Sequence, residues 1–121
     1  RFHKPFHVRC FEILRSKNLT EALNVLTDTP RSCTANFLLG HTDQGAIDIE
    51  LAPETMNILN PVKDVLSHAN HFVNPELLDI IEPPNPRRYL SEFRDNHMND
   101  LLLSVKDRLC IFFLRRLRWA P

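Results

Sequence analysis

The sequence predicts an α+β fold in which helices flank an antiparallel β-meander. Apolar residues recur at helical spacing near both ends of the chain. Between them, short segments with strand character follow one another with only tight turns in between. Consecutive strands joined by short turns pair antiparallel, and flanking helices then form a second layer on the sheet.

Two helices are predicted before the sheet. Residues 5–15 carry apolar side chains at helical spacing, and Pro5 suits the first helical position. Thr20 is the predicted cap of a second helix, which ends before Pro30.

Four strands are predicted in the middle of the chain. They cover residues 34–39, 46–51, 56–58 and 65–68. In the second strand, Ile47, Ile49 and Leu51 alternate with polar residues and predict a half-buried face. Asp48 and Glu50 share the opposite face, where they could form a pair of acids, although the pattern favours a solvent-exposed face. A sheet covered by helices on one side only would leave that second face incompletely buried.

The C-terminal third is predicted to be a loop followed by a helix. Residues 82–87 form a proline-rich loop, because proline lacks the N–H that helices and central strands require. A helix is expected from Arg87. Its predicted apolar stripe consists of Leu90, Phe93, His97, Leu101, Val105 and Leu109. The stripe is lost after Leu109, and residues 104–121 are interpreted as a divergent tail of one domain, residues 1–121.

Composition narrows the classes of function. Fifteen basic and fifteen acidic residues give a net charge of zero, so no nucleic-acid partner is predicted. The longest apolar run, residues 109–114, is far shorter than the ~20 residues that cross a bilayer, so no membrane partner is predicted either. Three widely spaced cysteines form neither a disulfide framework nor a zinc motif and favour a reducing compartment such as the cytoplasm. No cofactor is predicted.

One polar stretch is the candidate site. His68, Asn70 and His71 follow the apolar pair Val65-Leu66. Buried polar side chains need partners, so this group is either a structural network or a functional site. Asn70 could simply cap a turn. The two histidines could also bind a metal, but zinc requires three or four ligands.

Four ordered motifs give the chain a family resemblance. They are LTEA at residues 19–22, PRSCTANFLL at 30–39, IELAP at 49–53 and HANHF at 68–72. This series resembles the acyl-CoA:6-aminopenicillanic acid acyltransferase family, the penicillin acyltransferase-like branch of the N-terminal nucleophile hydrolases. HANHF is the most specific of the four, and family members more often have threonine at the position of Ala69.

The resemblance implies a partial αββα sandwich and amide chemistry. In such enzymes autocatalytic cleavage frees an N-terminal cysteine, which attacks an amide or thioester carbonyl. Asn70 matches the position of the family's oxyanion-hole asparagine, and His68 and His71 would hold it in place.

The nucleophile does not fall within this sequence. Residue 1 is Arg1, and Cys10, Cys33 and Cys110 lie away from the position that the family uses; Cys33 is expected to be a small buried residue. We therefore expect a fragment of such an enzyme, inactive alone, with its nucleophile upstream of Arg1. The alternative is a non-catalytic α+β interaction module or an inactive paralogue. The complete protein would bind a small acyl-amine or acyl-thioester substrate, and an exposed sheet edge or face would favour homo-oligomers.

Overall fold

The α+β class is confirmed by a computed structural model, which describes residues 3–28 and 31–116, with side chains described as far as residue 105. In chain order the elements are α1 (Phe6–Arg15), α2 (Leu19–Thr27), β1 (Ala35–His41), β2 (Gly45–Leu51), β3 (Met56–Leu59), a 3-10 helix (Pro75–Leu78) and α3 (Arg88–Arg116). None of the helices in the described ranges is long and apolar enough to span a bilayer.

The chain divides into two compact units. The first contains Arg1–Asn60 and Phe72–Asn85, which hold α1, α2, the sheet and the 3-10 helix. The second contains Pro61–His71 and Pro86–Pro121, which hold the predicted site segment and α3.

Helix α2 begins two residues earlier than the sequence predicts. Asn18 is its cap: the Asn18 side chain accepts a hydrogen bond from the Glu21 backbone N–H at 2.8 Å. The Glu21 carboxylate in turn accepts from the Lys17 N–H at 2.9 Å. This reciprocal arrangement satisfies N–H groups that have no partner within the helix. The prediction that Thr20 caps the helix was therefore wrong, and Thr20 lies in its first turn.

The sheet has the order β1-β2-β3, with both pairs antiparallel. Its apolar face packs on the helices, as the alternation in β2 predicted. The fully buried centre of this core consists of Leu26 from α2 with Ile49 and Leu51 from β2. Partly buried residues pack around it: Ile13, Leu23, Phe37, Leu39 and Ile47. Helices on one side of a meander thus position β2 as the central, most buried strand.

The predicted fourth strand is absent from the described part of the chain. Val65 forms only an isolated bridge with Val62, across a tight turn in which Lys63 and Asp64 have φ of 51° and 63°. Two consecutive positive φ values are typical of a type I′ turn. After Val65 the backbone leaves the bridge, so the apolar pair that suggested a strand ends a small hairpin instead.

The acidic face of β2 is buried, so the prediction that Asp48 and Glu50 face solvent was wrong. Both residues are 0% exposed. The Asn36 side chain donates to Asp48 Oδ1 at 2.7 Å, and the Asn57 side chain donates to Glu50 Oε2 at 3.2 Å. Alternation assigns side chains to two faces, but it does not indicate what covers the second face.

Two carboxylates, Glu50 and Glu82, hold the backbone at the end of the HANHF motif. Glu50 Oε1 accepts a hydrogen bond from the Val73 N–H at 2.5 Å. Glu82 Oε1 accepts one from the Phe72 N–H at 3.2 Å. Buried backbone donors require such acceptors where no sheet or helix supplies them. Two consecutive residues are therefore fixed by side chains rather than by secondary structure.

Part of the second face is open to solvent. Leu38, on the same face as Asp48, is 52% exposed at the edge of the three-stranded sheet. Association of copies through this edge or face stays a prediction.

A buried arginine joins α2 to the connection between β2 and β3. Arg31 is 4% exposed, and its guanidinium donates to three carbonyl oxygens. These are Ala52 O at 2.6 Å, Thr55 O at 2.7 Å and Leu26 O at 3.1 Å. Its planar array of donors suits several acceptors at once. Arg31 therefore replaces backbone pairing where the chain has no regular structure.

A second arginine acts on the same helix end. Arg9 of α1 is 4% exposed and donates to Val25 O at 2.6 Å. Positive charge stabilises the carbonyl end of a helix, and the last turn of α2 has no basic residue of its own. Burial lowers the pKa of the Arg31 guanidinium; the charge of Arg9 lowers this pKa further, and Glu54 opposes the effect. The guanidinium nevertheless stays charged at neutral pH.

Most of the apolar stripe predicted for α3 is exposed among the described side chains. Leu90, Phe93 and Leu101 are 43%, 65% and 48% exposed, and His97 stacks on Phe93 with ring centroids 5.9 Å apart, whereas Val105 is half-buried. Among the described side chains of α3, Ser91 is the buried one, at 5% exposure. The prediction of a buried stripe was therefore wrong for Leu90, Phe93 and Leu101; Leu109 lies beyond the described side chains, and residues 117–121 lie outside the described residues.

Arg31→Met should destabilise the protein because three buried carbonyl groups lose their donor. We expect the free energy of unfolding in urea to fall by about 3 kcal/mol. Lys17→Met, at an exposed side chain, is the control and should change it by about 0.5 kcal/mol or less. Equal effects of the two substitutions would show that Arg31 contributes no more than a surface residue.

Glu50→Ala should release the segment after the motif, because the Val73 N–H loses its acceptor. We expect faster hydrogen exchange at the Val73 amide and a loss of about 1–3 kcal/mol of stability. Glu76→Ala, at an exposed position in the 3-10 helix, is the control. Unchanged exchange at Val73 in Glu50→Ala would contradict the role of this carboxylate.

Candidate functional site

The candidate site lies in a segment without helix or strand. After Val65, residues 66–71 have irregular backbone conformation in the second unit. The His71 N–H donates to Ala69 O at 2.9 Å, which closes a tight turn around Asn70. A hydrogen bond between residues two apart defines a γ-turn. Asn70 therefore occupies the tip of a turn, which the backbone hydrogen bond closes without the Asn70 side chain.

Two hydrogen bonds from α3 hold the two ends of this segment. The Ser67 hydroxyl donates to Asp95 Oδ1 at 2.5 Å. Ser91 Oγ lies 3.1 Å from His71 Nδ1. Ser91 and Asp95 are four residues apart and so lie on the same face of α3. The segment thus gains from one helix face the fixed geometry that its own backbone does not provide.

The two histidines stack on each other. The ring centroids of His68 and His71 are 6.0 Å apart with an interplanar angle of 20°, and both side chains are half-buried. In the part of the chain that the structure describes, no group of three or more His, Cys, Asp or Glu residues is placed to hold a metal ion. The two rings pack on each other, and His71 Nδ1 also lies within hydrogen-bond distance of Ser91 on α3.

Asn70 differs from its neighbours because its carboxamide is not engaged. The residue is exposed, and among the described residues its side chain makes no hydrogen bond. Among the described side chains, Asn70 forms no hydrogen bond with His68 or His71, although such a contact was expected. His71 instead fixes the backbone next to Asn70. The amide N–H groups of Asn70 are therefore available to a ligand.

Two surface grooves among the described residues lie away from Asn70. One is formed by α1 and α2 around Phe11 and Val25, and another lies between these helices and β1, around Leu19 and Leu39. Neither includes Asn70. Both are in the first unit.

The described cysteines are both free, and neither lies in the site segment. Cys10 is half-buried on α1. Cys33 is exposed, with its sulfur 3.9 Å from the Ser32 hydroxyl, so the expectation that Cys33 is buried was wrong. The side chain of Cys110 lies outside the described residues. Neither Cys10 nor Cys33 is therefore a candidate nucleophile at this site.

Sequence reasoning missed the residues of α3 that support the site. The apolar stripe drew attention away from Ser91, Asp95 and Arg94. The Nη2 of Arg94 donates to Ser91 Oγ at 3.4 Å. A polar pair four residues apart on a helix was the available signal, but it is equally typical of a solvated face. Only the distant partners Ser67 and His71 distinguish the two cases.

Comparison with known proteins identifies the family. A family model described as acyl-coenzyme A:6-aminopenicillanic acid acyl-transferase matches residues 12–113. The chain belongs to this family. The acyltransferase match covers α2, all three strands, the HANHF motif and most of α3, and it extends into residues 104–121, which sequence reasoning had interpreted as divergent. No curated protein and no solved structure matches the chain.

Membership confirms the resemblance that the ordered motifs predicted, together with an α+β fold of N-terminal nucleophile hydrolase type. The roles of Asn70, His68 and His71 stay predictions.

Proposed function

We propose that this chain is part of a cysteine N-terminal nucleophile amidohydrolase or acyltransferase that acts on amide or thioester acyl groups. In this proposal Asn70 donates a hydrogen bond to the oxyanion, and a cysteine encoded upstream of Arg1 is the nucleophile. The observation that supports it best is the unengaged Asn70 carboxamide, placed at a turn whose flanking residues are both anchored. An asparagine that capped this turn would use its side chain in a hydrogen bond to the nearby backbone, and no such bond forms among the described residues.

The chemistry follows from what a neutral carboxamide can do. The thiolate attacks the carbonyl carbon, and the π electrons move to oxygen, which becomes negative. An Asn70 N–H donates to this oxygen and, being a neutral amide, cannot be lost by titration. The α-amine of the N-terminal cysteine takes the thiol proton and donates it to the leaving nitrogen, so that collapse of the intermediate expels a neutral amine; a thioester expels a thiolate instead. In both cases an acyl thioester remains on the cysteine. Water or a second amine then takes the acyl group, and no cofactor is required.

The histidines act through position rather than through proton transfer in this proposal. His71 is held by Ser91 and closes the turn around Asn70 through its backbone N–H. His68 packs against the His71 ring. Together they restrict the directions in which the carboxamide can extend, which is the contribution that a preorganised donor requires.

The exposure of Asn70 sets a condition on the proposal. Oxyanion donors stabilise charge most strongly where water is excluded. In this proposal the covering groups come from the acyl chain of the substrate or from polypeptide other than the described residues of this chain. A small acyl-amine or acyl-thioester substrate satisfies the first of these requirements.

Asn70→Ala should lower turnover in the protein that contains both this chain and its nucleophile. Loss of one oxyanion donor typically reduces kcat by about 10²–10³-fold. Because the donor acts on charge that develops in the transition state, KM for an N-acyl p-nitroanilide should change little.

The matched control is Asn96→Ala, which removes an exposed asparagine from α3 in the same unit. It should leave both kinetic constants within about two-fold of the parent, as is usual for surface substitutions. If Asn70→Ala has the same turnover as this control, Asn70 has no part in the mechanism.

The 121 residues alone should not turn over acyl amines or acyl thioesters, because no N-terminal cysteine is available. Release of p-nitroaniline or free thiol should equal the buffer rate, and Cys10→Ser/Cys33→Ser/Cys110→Ser should not alter it. Multiple turnovers that require one of these cysteines would contradict the fragment proposal. An inactive longer protein would favour the alternative of a non-catalytic interaction module.

A further inference from the structure

Helix α3 contacts the candidate site through a polar face that has no role in the apolar core. Ser91 is 5% exposed although it is polar, and Asp95 is half-buried. Burial of polar groups costs free energy unless hydrogen bonds replace those to water. Both residues meet this condition through Ser67 and His71, which flank Asn70 in the sequence.

We infer that Ser91 and Asp95 are positioning residues for Asn70: they fix Ser67 and His71, and thereby the turn that carries the carboxamide. This inference rests on the proposed function, since positioning matters for turnover only if Asn70 takes part in it. Irregular backbone has no internal ladder of hydrogen bonds, so side-chain anchors at both ends decide its conformation.

The Ser91 contact also bears on which nitrogen of the His71 ring carries the proton. Arg94 can only donate hydrogen bonds, and its Nη2 is directed at Ser91 Oγ. The Ser91 hydroxyl proton can then be donated to His71 Nδ1 at 3.1 Å. Donation from Ser91 would make Nδ1 the acceptor and place the proton of the neutral ring on Nε2. We therefore expect the α3 face to favour this tautomer of His71 as well as one orientation of its ring.

Ser91→Ala tests this inference through a signal that does not depend on activity. In the parent chain, the ¹⁵N spectrum of neutral His71 should show an unprotonated Nδ1 and a protonated Nε2. Without the hydroxyl, the two tautomers should mix and the two ¹⁵N shifts should move towards each other. Ser91→Thr retains a hydroxyl and should restore the parent pattern. Ser104→Ala, at an exposed α3 serine that bonds its own helix, is the control.

The second readout is kinetic and uses the protein that includes the nucleophile. A displaced catalytic group commonly costs up to about 10²-fold in rate. Ser91→Ala should lower kcat by roughly ten- to a hundred-fold with KM little changed, and Ser91→Thr should recover most of the loss. Ser67→Ala removes the other anchor from a half-buried position and should lower kcat in the same direction, which covers the case in which Ser91→Ala does not fold.

The outcomes separate this inference from the proposed function. The inference alone is overturned if Ser91→Ala leaves the His71 spectrum unchanged. It is also overturned if Ser91→Ala changes the spectrum but keeps the parental kcat, while Asn70→Ala is impaired. If Asn70→Ala keeps full turnover, the proposed function fails, and the inference fails with it even where the tautomer shift is observed. Altered tautomers, reduced kcat and rescue by threonine together support it.

Discussion

The geometry of the candidate site depends on side-chain hydrogen bonds, because the segment from Ser67 to His71 has neither helix nor strand to define it. Two of these bonds come from adjacent turns of α3 and hold the segment at both ends. Among the described residues, the Asn70 side chain between these two anchors makes no hydrogen bond. A structural network therefore surrounds an available donor, and the functional interpretation of this polar group stays a prediction.

In the interior of the first unit, side-chain hydrogen bonds likewise hold backbone that lies outside helices and strands. Arg31 donates to three carbonyl oxygens, and Glu50 accepts from an asparagine side chain and a backbone N–H. Charged groups are expensive to bury, and their retention is explained by the number of backbone groups that each satisfies. Within this unit, the connection after β2 and the backbone at Val73 are held in this way.

The fold was predictable where one period governs a whole element. The alternation around Ile49 gave β2 and its apolar face, and the ordered motifs ending in HANHF gave the family. The absence of the fourth strand was not predictable, because an apolar residue such as Val65 suits an isolated bridge in a hairpin as well as it suits a strand. The burial of Glu50 and the role of Ser91 depend on partners 23 and 20 residues away in the sequence, and no local pattern contains that information.

The central claim is a hydrogen bond from Asn70 to a negative oxygen, and it can be observed directly. An aldehyde inhibitor would add to the nucleophilic cysteine of the complete protein and place an oxygen where the oxyanion forms. NMR of the Asn70 side-chain amide in this adduct should show one proton shifted downfield and protected from exchange, with Asn96 unchanged. Asn70 amide resonances identical in the free protein and in the saturated adduct would contradict the account.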